Sequence, residues 1–151
     1  MIDVRPTPVT DGAALRLIGE SEAELSALYP PEVRHAFAPD QLVAAQVRFV
    51  TAWEGGAAVG CGGDAPLRGY GALKRIFTTR AARGRGVGRA VVGALEARAR
   101  AEGFALMRLE TGAASPDAIA LHDRPGHARG GPFGAYADNG SSVFREKRLA
   151  P

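Results

Sequence analysis

The sequence predicts an α/β layer protein built around one central sheet. Three observations carry that prediction. The chain has 151 residues, about the length of one ordinary domain, so a single domain over 1–151 is expected. Short β-patterned runs are interleaved with stretches of helical periodicity, with no internal repeat and no low-complexity linker. A mid-chain junction between a strand pattern and a helix pattern is filled with glycine and arginine.

Ile2 and Val4 alternate with polar neighbours and read as a first strand. Thr10 or Asp11 can cap a helix whose apolar face is expected to hold Leu15, Ile18, Leu25 and Leu28, ending before Pro30-Pro31. A second short helix is expected around Asp40 to Gln46. Val47 to Trp53 is a β-branched and aromatic alternation, and Glu54-Gly55-Gly56 offers a tight turn into Ala57 to Gly63, a hairpin by pattern. A loop containing Pro66 is expected next, then a strand over Tyr70 to Thr78. After the glycine–arginine stretch, Val91, Val92, Leu95 and Ala99 recur at helical spacing between Arg89 and Glu102, with Gly103 as terminator. Phe104 to Glu110 reads as a strand able to lie beside Tyr70 to Thr78, the helix serving as crossover. Ser115 or Asp117 can cap a last helix through His122, stopped by Pro125-Gly126, and Ser142-Val143-Phe144 alternates as a final strand.

With 46% hydrophobic and 23% charged residues, the chain is not a wholly disordered one. No apolar run approaches the roughly 20 residues that span a bilayer, and the first residues lack the apolar stretch of a signal peptide, so a cytoplasmic protein is expected. The single Cys61 excludes an internal disulfide framework and a multi-cysteine zinc site. Three widely spaced histidines give no metal-ligand pattern. Lys74 and Lys147 are the lysines among 19 basic residues, an arginine bias that genome composition can explain, and a net charge of +3 is too weak to argue for nucleic acid.

The junction itself, Arg83-Gly84-Arg85-Gly86-Val87-Gly88-Arg89, is the informative segment. Glycines remove the side chains that would hold an anion away from the backbone, and the free N–H groups of a helix start point at it. Arg83, Arg85 and Arg89 add positive charge. A phosphate or pyrophosphate site is the natural reading; a turn that uses glycine only for geometry is the alternative. A P-loop needs a lysine followed by serine or threonine, and the chain has none. The dinucleotide fingerprint needs G-x-G-x-x-G, whereas the glycines here run G-x-G-x-G.

With the preceding Leu73-Lys74-Arg75-Ile76-Phe77, this segment resembles the acetyl-CoA-binding motif [RQ]-x-x-G-x-[GA] of the GCN5-related N-acetyltransferases (GNAT). Leu106 to Glu110 and Ala118-Ile119-Ala120-Leu121 fit that family's next strand and helix, and Leu109-Glu110-Thr111-Gly112 and Pro132-Phe133-Gly134 resemble a bacterial subgroup. The resemblance covers almost the whole chain. It implies a mostly antiparallel mixed sheet of six or seven strands flanked by helices, with strands four and five splayed around acetyl-CoA. It also implies that Arg83, Gly84, Arg85, Gly86, Val87 and Gly88, with Arg89 beside them, hold the pyrophosphate. Ile76, Phe77 and Thr78 would pair with the pantetheine arm and, at a bulge, point a backbone N–H at the thioester oxygen. Ser115 matches a position that can touch the cofactor, and helix capping explains it equally well.

The reaction the resemblance implies is acetyl transfer from acetyl-CoA to a primary amine by direct attack in a ternary complex. No metal, nucleic acid or membrane is implied, and a homodimer is left open. An amine of pKa near 10.4 must lose a proton before attack, and the oxyanion needs a fixed donor. Many family members place a glutamate base on strand four, where this chain has Ala72, and a tyrosine acid on helix four, where it has His122. His122 can serve as acid or base, its ordinary pKa being near 6.5, or can be a helix-end histidine without a role. Glu110 can replace the missing base through water, or can be a strand-end carboxylate that binds backbone or arginine. Cys61, in an apolar strand, reads as a buried, inert thiol. The alternative function is a degenerate acyl-CoA-binding module without transferase activity.

Overall fold

A computed structural model of the chain describes residues 1–28, 39–67, 70–104, 106–112, 128–130 and 142–149. The strands are β1 (Asp3–Pro6), β2 (Arg48–Glu54), β3 (Ala57–Leu67), β4 (Tyr70–Thr78), β5 (Leu106–Gly112), β6 (Ala128–Gly130) and β7 (Ser142–Arg148). The helices are α1 (Gly12–Leu28), α2 (Pro39–Ala44) and α3 (Val87–Ala101). One sheet takes the order β1-β2-β3-β4-β5-β7-β6, and every neighbouring pair is antiparallel except β4 and β5. The expected mixed, mostly antiparallel sheet is therefore present.

Helix α1 starts at Asp11, whose carboxylate accepts a hydrogen bond from the Ala13 N–H at 3.0 Å, so of the two candidate caps the aspartate is used. Its buried face is Ala14, Leu17, Ile18 and Ser21, while Leu15 is 41% exposed. Of the expected face, Ile18 is buried, Leu15 is not, and the side chains of Leu25 and Leu28 lie outside the described residues; residues 13 to 18 are apolar apart from Arg16, so the local pattern permits either stripe at Leu15 and Leu17. Packing decides between them, because Leu17 and Ile18 join Phe49, Ala58, Cys61 and Phe77 in one cluster and Arg16 donates to the Ala58 carbonyl at 2.9 Å.

The β2–β3 hairpin turns as expected at Gly55 and Gly56, both at positive φ, which fits a two-residue primed turn. The loop expected at Pro66 is instead strand. Pro66 opposes Gly71 of β4, and it lies past the last β2 pairing at Asp64, where a free edge tolerates a residue without an N–H.

Period-2 alternation sorts the strands' side chains between two layers. Phe49, Cys61 and Phe77 face α1 and α2. Val50, Ala52, Leu73 and Met107 face α3, which contributes Val87, Val91, Val92, Leu95 and Ala99. Each such fully buried Val or Leu contributes about 1.5–3 kcal/mol of transfer free energy. Glu102 and Gly103, at φ 86, end α3 as the sequence predicts.

Arg48 bridges Asp64 of β3 and Glu102 at the end of α3, and its guanidinium lies over the Phe104 ring. The Asp64 side chain is fully buried. This cluster anchors the C-terminal end of α3 to the sheet, where a cation also complements the helix dipole. Among the described residues, no helix is long and apolar enough to cross a membrane.

Candidate active site

Strands β4 and β5 pair in parallel through two positions alone, Gly71 opposite Met107 and Ala72 opposite Arg108. Beyond them β5 continues to Gly112 against β7, and β4 continues to Thr78 against β3. The two strands therefore part company at Ala72, which leaves the β5-facing edge of Leu73 to Thr78 without a β5 partner. That opening is the expected splay.

The same stretch of β4 carries a bulge. Cys61 opposes Phe77 and Gly63 opposes Lys74, so three steps on β4 match two on β3. Arg75 takes φ 51 at this point, unusual for a residue with a Cβ. The bulge reverses the phase of the strand beyond it: Ile76 packs with the α3 layer and Phe77 with the α1 layer. Ile76, Phe77 and Thr78 thus lie along the opened edge, C-terminal to the bulge.

Thr78 leads into a 3-10 turn at Arg80–Ala82, then an extended Arg83, then Gly84 at φ 83 and Gly86 at φ 85. Gly86 is the N-cap of α3, and no side chain caps that helix. A Cβ at Gly84 or Gly86 would meet nothing within 4 Å. Glycine is needed there for the left-handed backbone and for open space above it, not to relieve crowding. Val87 and Gly88 are buried in the first turn of α3, which starts two residues earlier than Arg89. The result is an exposed turn ending on uncapped helix N–H groups, and this suits a phosphate.

The arginines are less free than the sequence suggests. The Arg83 guanidinium is 2.5 Å from a Glu24 oxygen on α1 and also donates to the Thr78 carbonyl at 3.2 Å. Arg85 is 2.7 Å from a Glu54 oxygen on β2. Both pairs join residues distant in sequence, and no local pattern could have disclosed them. Arg89 is exposed on the first turn of α3.

Ala72 is fully buried beside Ala65, so no carboxylate occupies the strand-four base position. Glu110 belongs to β5, two residues past the last β4 pairing and opposite Phe144, which puts its backbone in the splayed half; its side chain lies outside the described residues. His122 and Ser115 lie outside them as well. Cys61 is buried, and desolvation pushes its thiol up to about 12, consistent with the inert thiol expected. Among the described residues no cluster of His, Cys, Asp and Glu could hold a metal ion.

Residues 15–126 match the family model of the Acetyltransferase (GNAT) family. The chain is 40% identical over 147 residues to the IAA acetyltransferase of Azospirillum brasilense, covering 96% of this chain and 95% of that one. A Klebsiella pneumoniae protein provisionally described as an acyl-CoA N-acyltransferase superposes with TM-score 0.83 at 31% identity, covering 99% of both chains. The PaiA N-acetyltransferase of Thermoplasma acidophilum, solved in complex with coenzyme A, shares the fold with TM-score 0.77 at 16% identity, covering 98% and 99% of the two chains. The splayed β4–β5 pair, the uncapped glycine turn and these similarities agree: the chain belongs to the GNAT family and is an acetyl-CoA-dependent acetyltransferase.

Proposed function

We propose that the protein transfers acetyl from acetyl-CoA to a primary amine by direct attack within a ternary complex. The observation that carries the site assignment is the continuity of β4, its bulge and the turn. One uninterrupted segment from Ile76 to Arg89 supplies an opened strand edge and then an uncapped helix start. The N–H groups of Gly84 to Gly88 receive the pyrophosphate, with Arg83, Arg85 and Arg89 beside it. Ile76, Phe77 and Thr78 pair with the pantetheine arm, and an N–H at the bulge holds the thioester oxygen as charge develops on it. Ser115 contacts the cofactor.

With Ala72 at the usual base position, deprotonation of the amine falls to Glu110 through a water, and His122 protonates the departing thiolate. An imidazole near its ordinary pKa suits that exchange at neutral pH. Positioning and oxyanion stabilisation supply much of the acceleration even where a base acts at a distance. The 40% identity to an acetyltransferase favours turnover over a binding-only module.

Incubation with acetyl-CoA and a pooled amine library, with IAA added because the relative's name specifies it, read by mass spectrometry, tests the reading. An acetylated amine supports it. An acetylated product on oxygen, or none despite measured cofactor binding, refutes the amine assignment. For His122, a large fall in kcat in His122→Ala at unchanged acetyl-CoA affinity supports the acid role, and an unchanged rate removes it.

A further inference from the structure

We propose that Ser21 and Glu22 of α1 are positioning residues for the acetyl group, acting through the Arg75 guanidinium on the backbone of the β4 bulge. The inference rests on the reading of Ile76 to Thr78 as cofactor contacts. Arg75 holds φ 51, a region that residues with a Cβ enter under strain and that glycine would enter freely. The ladder between β3 and β4 gives no reason for an arginine at this position. Contacts from two other elements hold it. Arg75 Nη2 lies 2.9 Å from Glu22 Oε2, and Nη1 donates to Ser21 Oγ at 3.3 Å. From β3, the Cys61 Sγ donates to the Arg75 carbonyl at 3.5 Å. The Arg75 side chain is only 4% exposed, so this ion pair is shielded on the arginine side.

The clamp matters because a bulge sets phase. Side chains and N–H groups alternate with period two along a strand, so a single extra residue reverses the direction of every later N–H until pairing is restored. Loss of the bulge would turn Ile76 toward the α1 layer and Phe77 toward the α3 layer, the opposite of their observed packing. The N–H groups offered to the opened edge would change with them. A carboxylate and a hydroxyl on α1 therefore hold the phase of the donors on β4.

The test needs no acceptor. Amide correlation NMR spectra of the full chain are recorded with saturating CoA and with saturating acetyl-CoA, and the shift difference between the two is read at Ile76, Phe77 and Thr78. That difference reports the acetyl carbonyl. The parent is expected to show it. Glu22→Gln and Ser21→Ala are expected to keep dispersed spectra and to reach saturation with CoA, at weaker affinity where the pantetheine pairing is disturbed, yet lose most of the difference. Arg75→Gly, in which glycine accepts the same φ without strain, is expected to keep it, because the bulge then needs no clamp. A difference retained in both Glu22→Gln and Ser21→Ala overturns the clamp and leaves the cofactor reading standing. Absence of any difference in the parent overturns both.

Discussion

The Arg83 guanidinium lies 2.5 Å from the Glu24 carboxylate, which fastens the first arginine of the glycine–arginine turn to helix α1. Both side chains are one-third exposed, and pairs of this kind are worth only about 0.2–1 kcal/mol. A dianionic ligand arriving at the turn competes with Glu24 for the same guanidinium. Glu24→Gln should accordingly tighten CoA binding by about two- to fivefold at low ionic strength, the gain fading as salt shortens the screening length. Titration calorimetry at two salt concentrations measures it. Weaker binding in Glu24→Gln would mean instead that Glu24 orients Arg83 for the ligand.

Two glycines in and beside α3 should respond with opposite sign to the same substitution. Gly86 has φ 85, so Gly86→Ala forces an L residue into the left-handed region at about 1–2 kcal/mol and should lower Tm by several degrees. CoA binding should fall as well, because the turn relaxes. Gly93 lies inside α3 with nothing within 4 Å of a Cβ, so Gly93→Ala should stabilise by about 0.5–1 kcal/mol. Thermal unfolding with and without CoA checks both; equal and parallel shifts would contradict the assignment of strain to Gly86.

Gly60 sets how closely α3 approaches the sheet. A Cβ there would sit 2.5 Å from Val87 Cγ1 and 3.0 Å from the Phe77 carbonyl oxygen. Gly60→Ala must therefore displace the first residue of α3 or the strand edge beside it. A loss of about 1–3 kcal/mol is expected, together with weaker CoA binding, since Val87 begins the helix that offers its N–H groups. Stability loss with unchanged CoA affinity would show that the sheet yields instead of the helix.

Burial of Cys61 makes a prediction about pH. Desolvation raises its thiol from 9.0 to about 12, so the folded state keeps a proton that the unfolded state releases in between. The stabilisation is complete below about pH 9 and is lost as pH rises toward 12, with a slope of up to about 1.4 kcal/mol per pH unit. Denaturant titrations between pH 8 and 10.5 should show a steeper decline in the parent than in Cys61→Ala. The native thiol should also resist alkylation at pH 8 and react once the protein is unfolded.

Much of the fold was legible because its signals are local. The glycine pair at 55 and 56 specifies the hairpin, Asp11 caps α1, and Gly103 ends α3, each through conformational preferences that need no distant partner. The glycine–arginine turn between a strand and a helix was legible for the same reason. The buried stripe of α1 was legible only in part: Ile18 is buried as expected, but the leucines at 15 and 17 are equally apolar, and only packing against Phe49, Cys61 and Phe77 selects Leu17. Pro66 misled because a proline usually marks a loop, whereas here it falls on a strand edge that has no β2 partner.

The glycine–arginine junction between a strand and a helix and the alanine at position 72 are properties of residue type and spacing, and the amino-acid sequence alone establishes them. Two other features came only with folding: the β4 bulge falls on Arg75, and Arg83 and Arg85 face Glu24 and Glu54. A bulge is a mismatch between two strands, and an ion pair between residues tens of positions apart exists only once the chain has folded; neither is a property of any one segment.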